Sequence, residues 1–259
     1  MTRATTAVYV YCVVRASRRP AVTRAPDGVP GATRPEALRV TPSLWLVSAS
    51  VPLDVYGPAR LEPRLRDLDW VSEAAVAHEA VVEHFARAKS ATVVPMKLFT
   101  MFSSPDKAVH DVAARKAAVE RAMRHIAGAE EWGVRVFRRL DRPEGTGRPA
   151  RATSGMAFLR ARKEARDAAT LARTTAAGAA ETAFARLRRL ARDARVRQSG
   201  RDGPSNPPIL DAAFLVAAST RRRFTAEARA QAAAVEQAGG DLVLTGPWPA
   251  YNFVGGGTA

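Results

Sequence analysis

The chain has 259 residues and carries 40 Lys and Arg against 25 Asp and Glu, a formal net charge of +15. Its 47% hydrophobic and 25% charged residues are typical of a soluble globular protein with one large domain or two ordinary ones. No apolar run is long enough to span a bilayer, and the single cysteine, Cys12, excludes an internal disulfide. The composition therefore favours a cytoplasmic protein.

The net charge raises nucleic-acid binding as an alternative function. Nucleic-acid modules usually place clustered basic residues beside aromatic platforms or on a groove-reading helix. Here most basic residues are arginines spread through alanine-rich segments, and the aromatic residues lie mostly in apolar runs. The pattern therefore favours a solvated basic surface over a nucleic-acid site, and we do not expect nucleic acid to be the main partner.

The first half of the chain predicts strands followed by two helices. Apolar β-branched and aromatic residues predict strands over 6–14 and 45–51, with a shorter strand at 38–40. Apolar spacings of three and four predict a helix over 69–90. A second helix is predicted from a Ser-Pro start at 104–105 to Gly128, which favours a domain boundary there.

The second half predicts the order strand, helix, strand, helix, strand. The predicted strands are 134–138, 209–217 and 241–245, and the last helix covers 224–238. Between the first two strands lies an alanine- and arginine-rich helical stretch over 154–197, about 65 Å long if it is continuous, with a break predicted at Gly178. This order permits a ferredoxin-like sandwich but is one strand short of the full pattern. We therefore predict an α+β fold with two domains, 1–128 and 129–259.

The segment after the last predicted strand is unusually aromatic. Trp248 lies between Pro247 and Pro249, and Tyr251 and Phe253 follow. The prolines exclude helix and central strand, and chain ends are normally loose and polar. We expect these rings to be covered by the protein's own core or by a partner, which makes Trp248, Tyr251 and Phe253 candidate partner-binding residues.

Two histidines on the first predicted helix raise the question of a metal site. His78 and His84 are six residues apart, whereas the zinc-protease helix needs histidines four apart on one face. His78 lies on the apolar face and is interpreted as a hydrogen-bonded core histidine, while His84 is expected to face solvent. No nucleophile elbow or phosphate-binding loop occurs, so we predict no catalytic, cofactor-binding or metal-binding residues and no enzyme.

Short segments along nearly the whole chain resemble the F/L-type gas vesicle proteins (GvpF/GvpL). Each segment alone is a weak match, but their order and spacing are specific. The segments include Tyr9-Val10-Tyr11, Ala77-His78-Glu79, Val94-Pro95-Met96-Lys97, Glu131-Trp132-Gly133-Val134, Gly155-Met156-Ala157-Phe158-Leu159, Ala212-Ala213-Phe214-Leu215-Val216 and Thr245-Gly246-Pro247-Trp248-Pro249-Ala250-Tyr251-Asn252-Phe253.

Two positions depart from the family pattern. Many members read proline-x-arginine-phenylalanine-glycine-threonine where this chain has Pro95-Met96-Lys97-Leu98-Phe99-Thr100. The closing motif usually has proline where this chain has Ala250. Because of both departures, the F or L subtype cannot be assigned from these motifs, but the resemblance to the family is unaffected.

The resemblance implies an accessory or minor structural role in gas vesicle assembly. It implies two α+β domains, the C-terminal one a modified ferredoxin-like sandwich with long helices. The implied partners are the small hydrophobic shell protein and other gas vesicle accessory proteins, and the implied location is the gas vesicle. The resemblance carries over no catalytic residues and no cofactor. The long basic helical stretch and the aromatic C-terminal segment are the candidate contacts with the shell protein.

Overall fold

The structure, a computed structural model, describes residues 5–88, 91–139, 155–197 and 206–254. Helices and antiparallel sheets make it an α+β fold, as predicted. The chain divides into a first unit, Met1–Glu130 with Trp248–Ala259, and a second unit, Glu131–Pro247. The predicted second domain, 129–259, included the C-terminal segment, which instead lies with the first unit. No helix among the described residues is both long and apolar enough to cross a bilayer.

The first unit is built on a sheet in the order β2-β3-β1-β4, with β5 also paired to β1. Its central strand, β1, is buried along almost its whole length, so its sequence is a continuous apolar run rather than an alternating one. A register shift between Val10 and Cys12 interrupts its antiparallel pairing with β3. The strands are β1 (Thr6–Arg15), β2 (Glu36–Thr41), β3 (Leu44–Pro52), β4 (Thr92–Pro95) and β5 (Met101–Phe102).

Among its described residues, this unit has the α-helices α1 (Leu53–Tyr56), α2 (Pro58–Arg64), α3 (Leu68–Ala86), α4 (Pro105–Ala114) and α5 (Lys116–Ile126), and a 3-10 turn at Tyr251–Phe253. The Asp67 side chain caps α3 by accepting from the backbone N–H of Trp70 at 3.2 Å. The predicted apolar face of α3 is confirmed, since Ala74, His78 and Phe85 are buried. The single helix predicted to end at Gly128 is wrong, because Arg115 leaves the helical conformation and separates α4 from α5.

The second unit contains a four-stranded sheet in the order β7-β8-β6-β9 with two helices. One strand was not predicted, because β7 lies in the stretch assigned to the long helix. It supplies the missing element, so that the order becomes strand, helix, strand, strand, helix, strand. The elements are β6 (Ala129–Arg138), α6 (Gly155–Arg188), β7 (Asp193–Val196), β8 (Leu210–Ala217), α7 (Arg221–Gln237) and β9 (Gly240–Trp248).

The core of the second unit lies between its sheet and the C-terminal half of α6 together with α7. Phe214 of β8 is at its centre, with ring centroids 5.6 Å from Phe184 of α6 and 5.5 Å from Phe224 of α7. The buried residues of α6 recur every three or four positions and are Ala176, Ala180, Ala183 and Leu187. No described side chain of α6 between 156 and 175 is buried, so this half of the helix carries its described side chains on the surface.

Gly178 does not break α6, which is continuous from residue 155 to residue 188, and the predicted break is therefore wrong. A Cβ atom at this position would meet nothing within 4 Å. We expect Gly178→Ala to raise the free energy of unfolding by about 0.5–1 kcal/mol, because alanine restricts the unfolded chain and favours helix. Urea denaturation at constant pH measures the change.

Gly239 provides the matched control, because its Cβ position is equally open but its φ is +80°. Gly239→Ala should lower the free energy of unfolding by about 1 kcal/mol, since only glycine adopts this conformation without strain. A destabilised Gly178→Ala variant would show that Gly178 has a role other than that of an ordinary position inside the helix.

Candidate partner-binding site

The three candidate residues of the C-terminal aromatic segment differ in their exposure to solvent. Phe253 is only 3% exposed, and its ring centroid lies 6.4 Å from that of His125 on α5. The half-buried Tyr251 ring lies 6.4 Å from His78 on α3. Trp248, in contrast, is 42% exposed. Tyr251 and Phe253 therefore pack within the first unit, and Trp248 is the candidate residue that remains available to a partner.

The hydroxyl group of Tyr251 is buried together with part of the ring. Its hydroxyl lies beside the carboxylate of Glu79, one residue after His78 on α3. Burial, followed by the negative charge of Glu79, raises the pKa of the Tyr251 phenol. The phenol therefore stays protonated at physiological pH, and in that state it can donate a hydrogen bond to the carboxylate.

His78 connects three backbone segments of the first unit beneath Tyr251. Its Nε2 lies 3.2 Å from the carbonyl oxygen of Met96, which can only accept, so Nε2 carries the proton. Its Nδ1 therefore accepts from the Tyr9 hydroxyl at 2.9 Å, and that hydroxyl accepts the backbone N–H of Phe99 at 3.2 Å. His78 is thus the hydrogen-bonded core histidine that the sequence predicted.

Phe99 adopts a left-handed backbone conformation, with φ at +62°. For a residue with a Cβ atom, this conformation costs about 1–2 kcal/mol relative to the right-handed one. Stacking against Trp70 offsets the strain, since the two rings are 5.5 Å apart and inclined by only 2°. Phe99 occupies the position where the family pattern noted above has glycine. The positive φ of Phe99 explains why glycine is found there, because glycine adopts this conformation without strain. The departure is visible in the sequence, but the positive φ of Phe99 is not.

Within the described ranges, no group of three or more His, Cys, Asp or Glu side chains is placed to hold a metal ion. Cys12 is fully buried, and burial raises the pKa of its thiol, which disfavours the reactive thiolate.

Three arginines beside the sheet of the second unit are paired with carboxylates. Asp211 accepts from Arg197 and lies 3.4 Å from Arg135. Arg139 pairs with Glu236 at 3.3 Å and with Asp241 at 2.5 Å. A guanidinium that already has a carboxylate partner is a weaker site for phosphate, so these three arginines are poor candidates for nucleic-acid contacts.

The comparisons with known proteins agree on one family. Residues 7–255 match the family model "Gas vesicle synthesis protein GvpL/GvpF". The chain is 30% identical over 260 residues to "Gas vesicle protein L" of Streptomyces sp. (strain CB03234), covering 95% of this chain and 92% of that protein.

Two crystal structures share the fold at low sequence identity. Gas vesicle protein GvpF from Anabaena sp. PCC7120 superposes with a TM-score of 0.68 at 15% identity, over 98% of each chain. GvpF from Microcystis aeruginosa gives a TM-score of 0.64 at 13% identity, over 96% of this chain and 98% of that one. Both likenesses support the mixed helix and antiparallel-sheet architecture.

Proposed function

Because the chain belongs to the GvpL/GvpF family of gas vesicle synthesis proteins, we propose that it is an accessory protein of gas vesicle assembly. It binds the small hydrophobic shell protein, keeps that protein soluble and helps to nucleate the vesicle, in company with other gas vesicle accessory proteins. An apolar shell subunit is prone to aggregate before assembly, so covering part of its surface is a useful activity in itself. The protein acts by binding rather than by catalysis, at the gas vesicle and in the cytoplasm around it.

The two units are, in this proposal, two α+β domains, and the second is a modified ferredoxin-like sandwich. Its strand–helix–strand–strand–helix–strand order and its sheet order β7-β8-β6-β9 support this assignment. The modification is the length of α6, 34 residues, whose described buried side chains all lie in its C-terminal half. The C-terminal segment then serves as part of the first domain.

The exposure of Trp248 favours a binding role for the C-terminal segment. It is exposed, yet it ends strand β9 and is followed by the buried Ala250 and Phe253. A tryptophan held in this way loses little conformational freedom on binding, and tryptophan is enriched among residues that dominate interface energies. Trp248 therefore contacts the shell protein, while Tyr251 and Phe253 hold the segment that presents it.

Trp248→Ala should weaken binding of the shell subunit by about tenfold or more, the loss typical of an interface hot spot. The measurement is co-expression with the shell subunit, followed by quantification of soluble and co-purified shell protein. Trp248→Phe should retain most of the binding. Val196→Ala is the control, because Val196 is also an exposed apolar residue on an edge strand.

If the Trp248→Ala variant unfolds like the wild type and the amount of soluble shell protein is unchanged, Trp248 is not part of the interface.

The alternative function, nucleic-acid binding, is tested separately, because α6 exposes Arg160, Lys163 and Arg166. A gel-shift at physiological salt would show salt-sensitive binding of duplex or single strands if that alternative were correct.

A further inference from the structure

Helix α3 carries two exposed apolar side chains beside two exposed carboxylates. Leu68 is 78% exposed and Val76 is 68% exposed. These two side chains are eight residues apart, so they lie on neighbouring parts of one helix face, about 12 Å apart along the axis. Asp69 and Glu73 are exposed beside them, whereas Glu79 lies by the buried Tyr251 hydroxyl and Glu83 pairs with Arg87. We call Leu68, Val76 and their flanking carboxylates the α3 stripe.

Helix α6 carries the opposite combination. Its N-terminal half exposes Met156, Leu159 and Leu171. Arg160, Lys163 and Arg166 are exposed between them, at spacings that keep all six side chains on one broad face of the helix. The same face exposes Asp167, so its basic side chains outnumber this carboxylate by three to one. We call this set the α6 stripe. It offers apolar contact area and positive charge along about four helical turns.

We propose that the α3 stripe of one copy of this chain binds the α6 stripe of a second copy. Each stripe is ill suited to bind itself, because two α3 stripes would bring carboxylates together and two α6 stripes would bring basic groups together. Paired with each other, the stripes bury their leucines, Val76 and Met156 and set Asp69 and Glu73 against basic side chains. Charge and apolar area therefore favour the same pairing.

The proposed contact is heterologous, meaning that the two copies contribute different surfaces. Each copy in a pair keeps one unused stripe, so further copies can add to form a ring or an open chain. A contact between two helix faces is at the low end of specific interfaces, below about 1,200 Å² of buried area. Association should therefore be reversible, dependent on concentration, and sensitive to added salt.

Sedimentation velocity of the full chain between about 1 and 100 μM, a range suited to a low-area interface, tests the proposal. The wild type should form dimers and larger species as its concentration rises. One variant, Leu68→Gln with Val76→Gln, removes the α3 stripe, and another, Leu159→Gln with Leu171→Gln, removes the α6 stripe. Each variant alone should remain monomeric, and because the replaced side chains are exposed, each should fold like the wild type.

Mixing the two variants gives the decisive result. The mixture retains one intact α3 stripe and one intact α6 stripe, so it should form a one-to-one complex and nothing larger. A charge exchange checks the electrostatic part: Glu73→Lys or Lys163→Glu alone should weaken association, and the double variant should recover it. Val196→Gln should associate like the wild type.

A wild type that stays monomeric over this range would overturn the proposal. So would either double-glutamine variant associating like the wild type, or a mixture of the two variants that remains monomeric. Growth of the mixture beyond a one-to-one complex would show that the copies use another surface. None of these outcomes depends on whether Trp248 binds the shell protein.

Discussion

Replacing Phe253 with alanine is expected to lower the free energy of unfolding by about 3 kcal/mol, the lower end of the range for buried phenylalanines. Phe253 is 3% exposed and contacts the ring of His125 on α5, within the unit formed by Met1–Glu130 and Trp248–Ala259. Removing the ring leaves a cavity and loses the apolar area that it buries. Urea denaturation followed by tryptophan fluorescence gives the change in free energy.

Trp248→Ala is the matched control, since it removes an even larger ring three residues before Tyr251. Because Trp248 is 42% exposed, its loss should change the free energy of unfolding by less than about 1 kcal/mol. A double-mutant cycle between Phe253→Ala and His125→Ala should give a coupling of about 0.5–1.5 kcal/mol. Equal, small losses for both tail variants, or zero coupling, would contradict the packing of Phe253 in the first unit.

The sequence predicted that the aromatic tail must be covered, but it did not predict by what. Two prolines and three rings in a short segment show that the segment is rigid and apolar. Its partners in the structure, His78 and His125, are more than a hundred residues earlier in the chain. Periodicity shows that a face is buried, but nothing local in the sequence encodes which distant segment covers it.

Elements with a strong periodic apolar pattern were predicted correctly, whereas elements with a weak pattern were not. The face of α3 was predicted correctly, because a large apolar residue or alanine recurs over five turns. Strand β7 was missed, because Ala and Arg favour helix and its strand conformation depends on pairing with β8, where Asp193 lies opposite Leu215. Gly178 was assigned a break from local propensity, which the packing of Ala176 and Ala180 overrides.

Acidification from pH 7 to pH 4 is expected to destabilise the protein by about 3 kcal/mol through His78 alone. Burial lowers the pKa of His78 to about 4, although its hydrogen bond to Met96 partly opposes this effect. An unfolded histidine has a pKa of about 6.5, and each unit of difference corresponds to about 1.4 kcal/mol. A proton on Nδ1 would also displace the hydrogen bond that the Tyr9 hydroxyl donates there.

The direction of the effect follows from which state binds the proton. Between pH 6.5 and 4 the unfolded chain protonates His78 while the folded chain does not, so stability falls as the pH falls. Above about pH 6.5 both states are neutral at this site and its contribution no longer changes with pH. Urea denaturation at several pH values measures the slope. His78→Gln, which cannot titrate, should lose about 3 kcal/mol less than the wild type over this window.

Nuclear magnetic resonance separates this explanation from a general effect of acid. The His78 ring should remain neutral down to about pH 4 with its proton on Nε2, because that nitrogen donates to the carbonyl of Met96. Tyr9→Phe removes the donor to Nδ1 without adding a charge, so it should lower stability at pH 7. Because protonation of Nδ1 then displaces no hydrogen bond, the acid slope should become shallower but should persist, since burial of His78 remains. If His78 titrates near 6.5 in the folded protein, or if His78→Gln keeps the wild-type slope, another group controls the acid response.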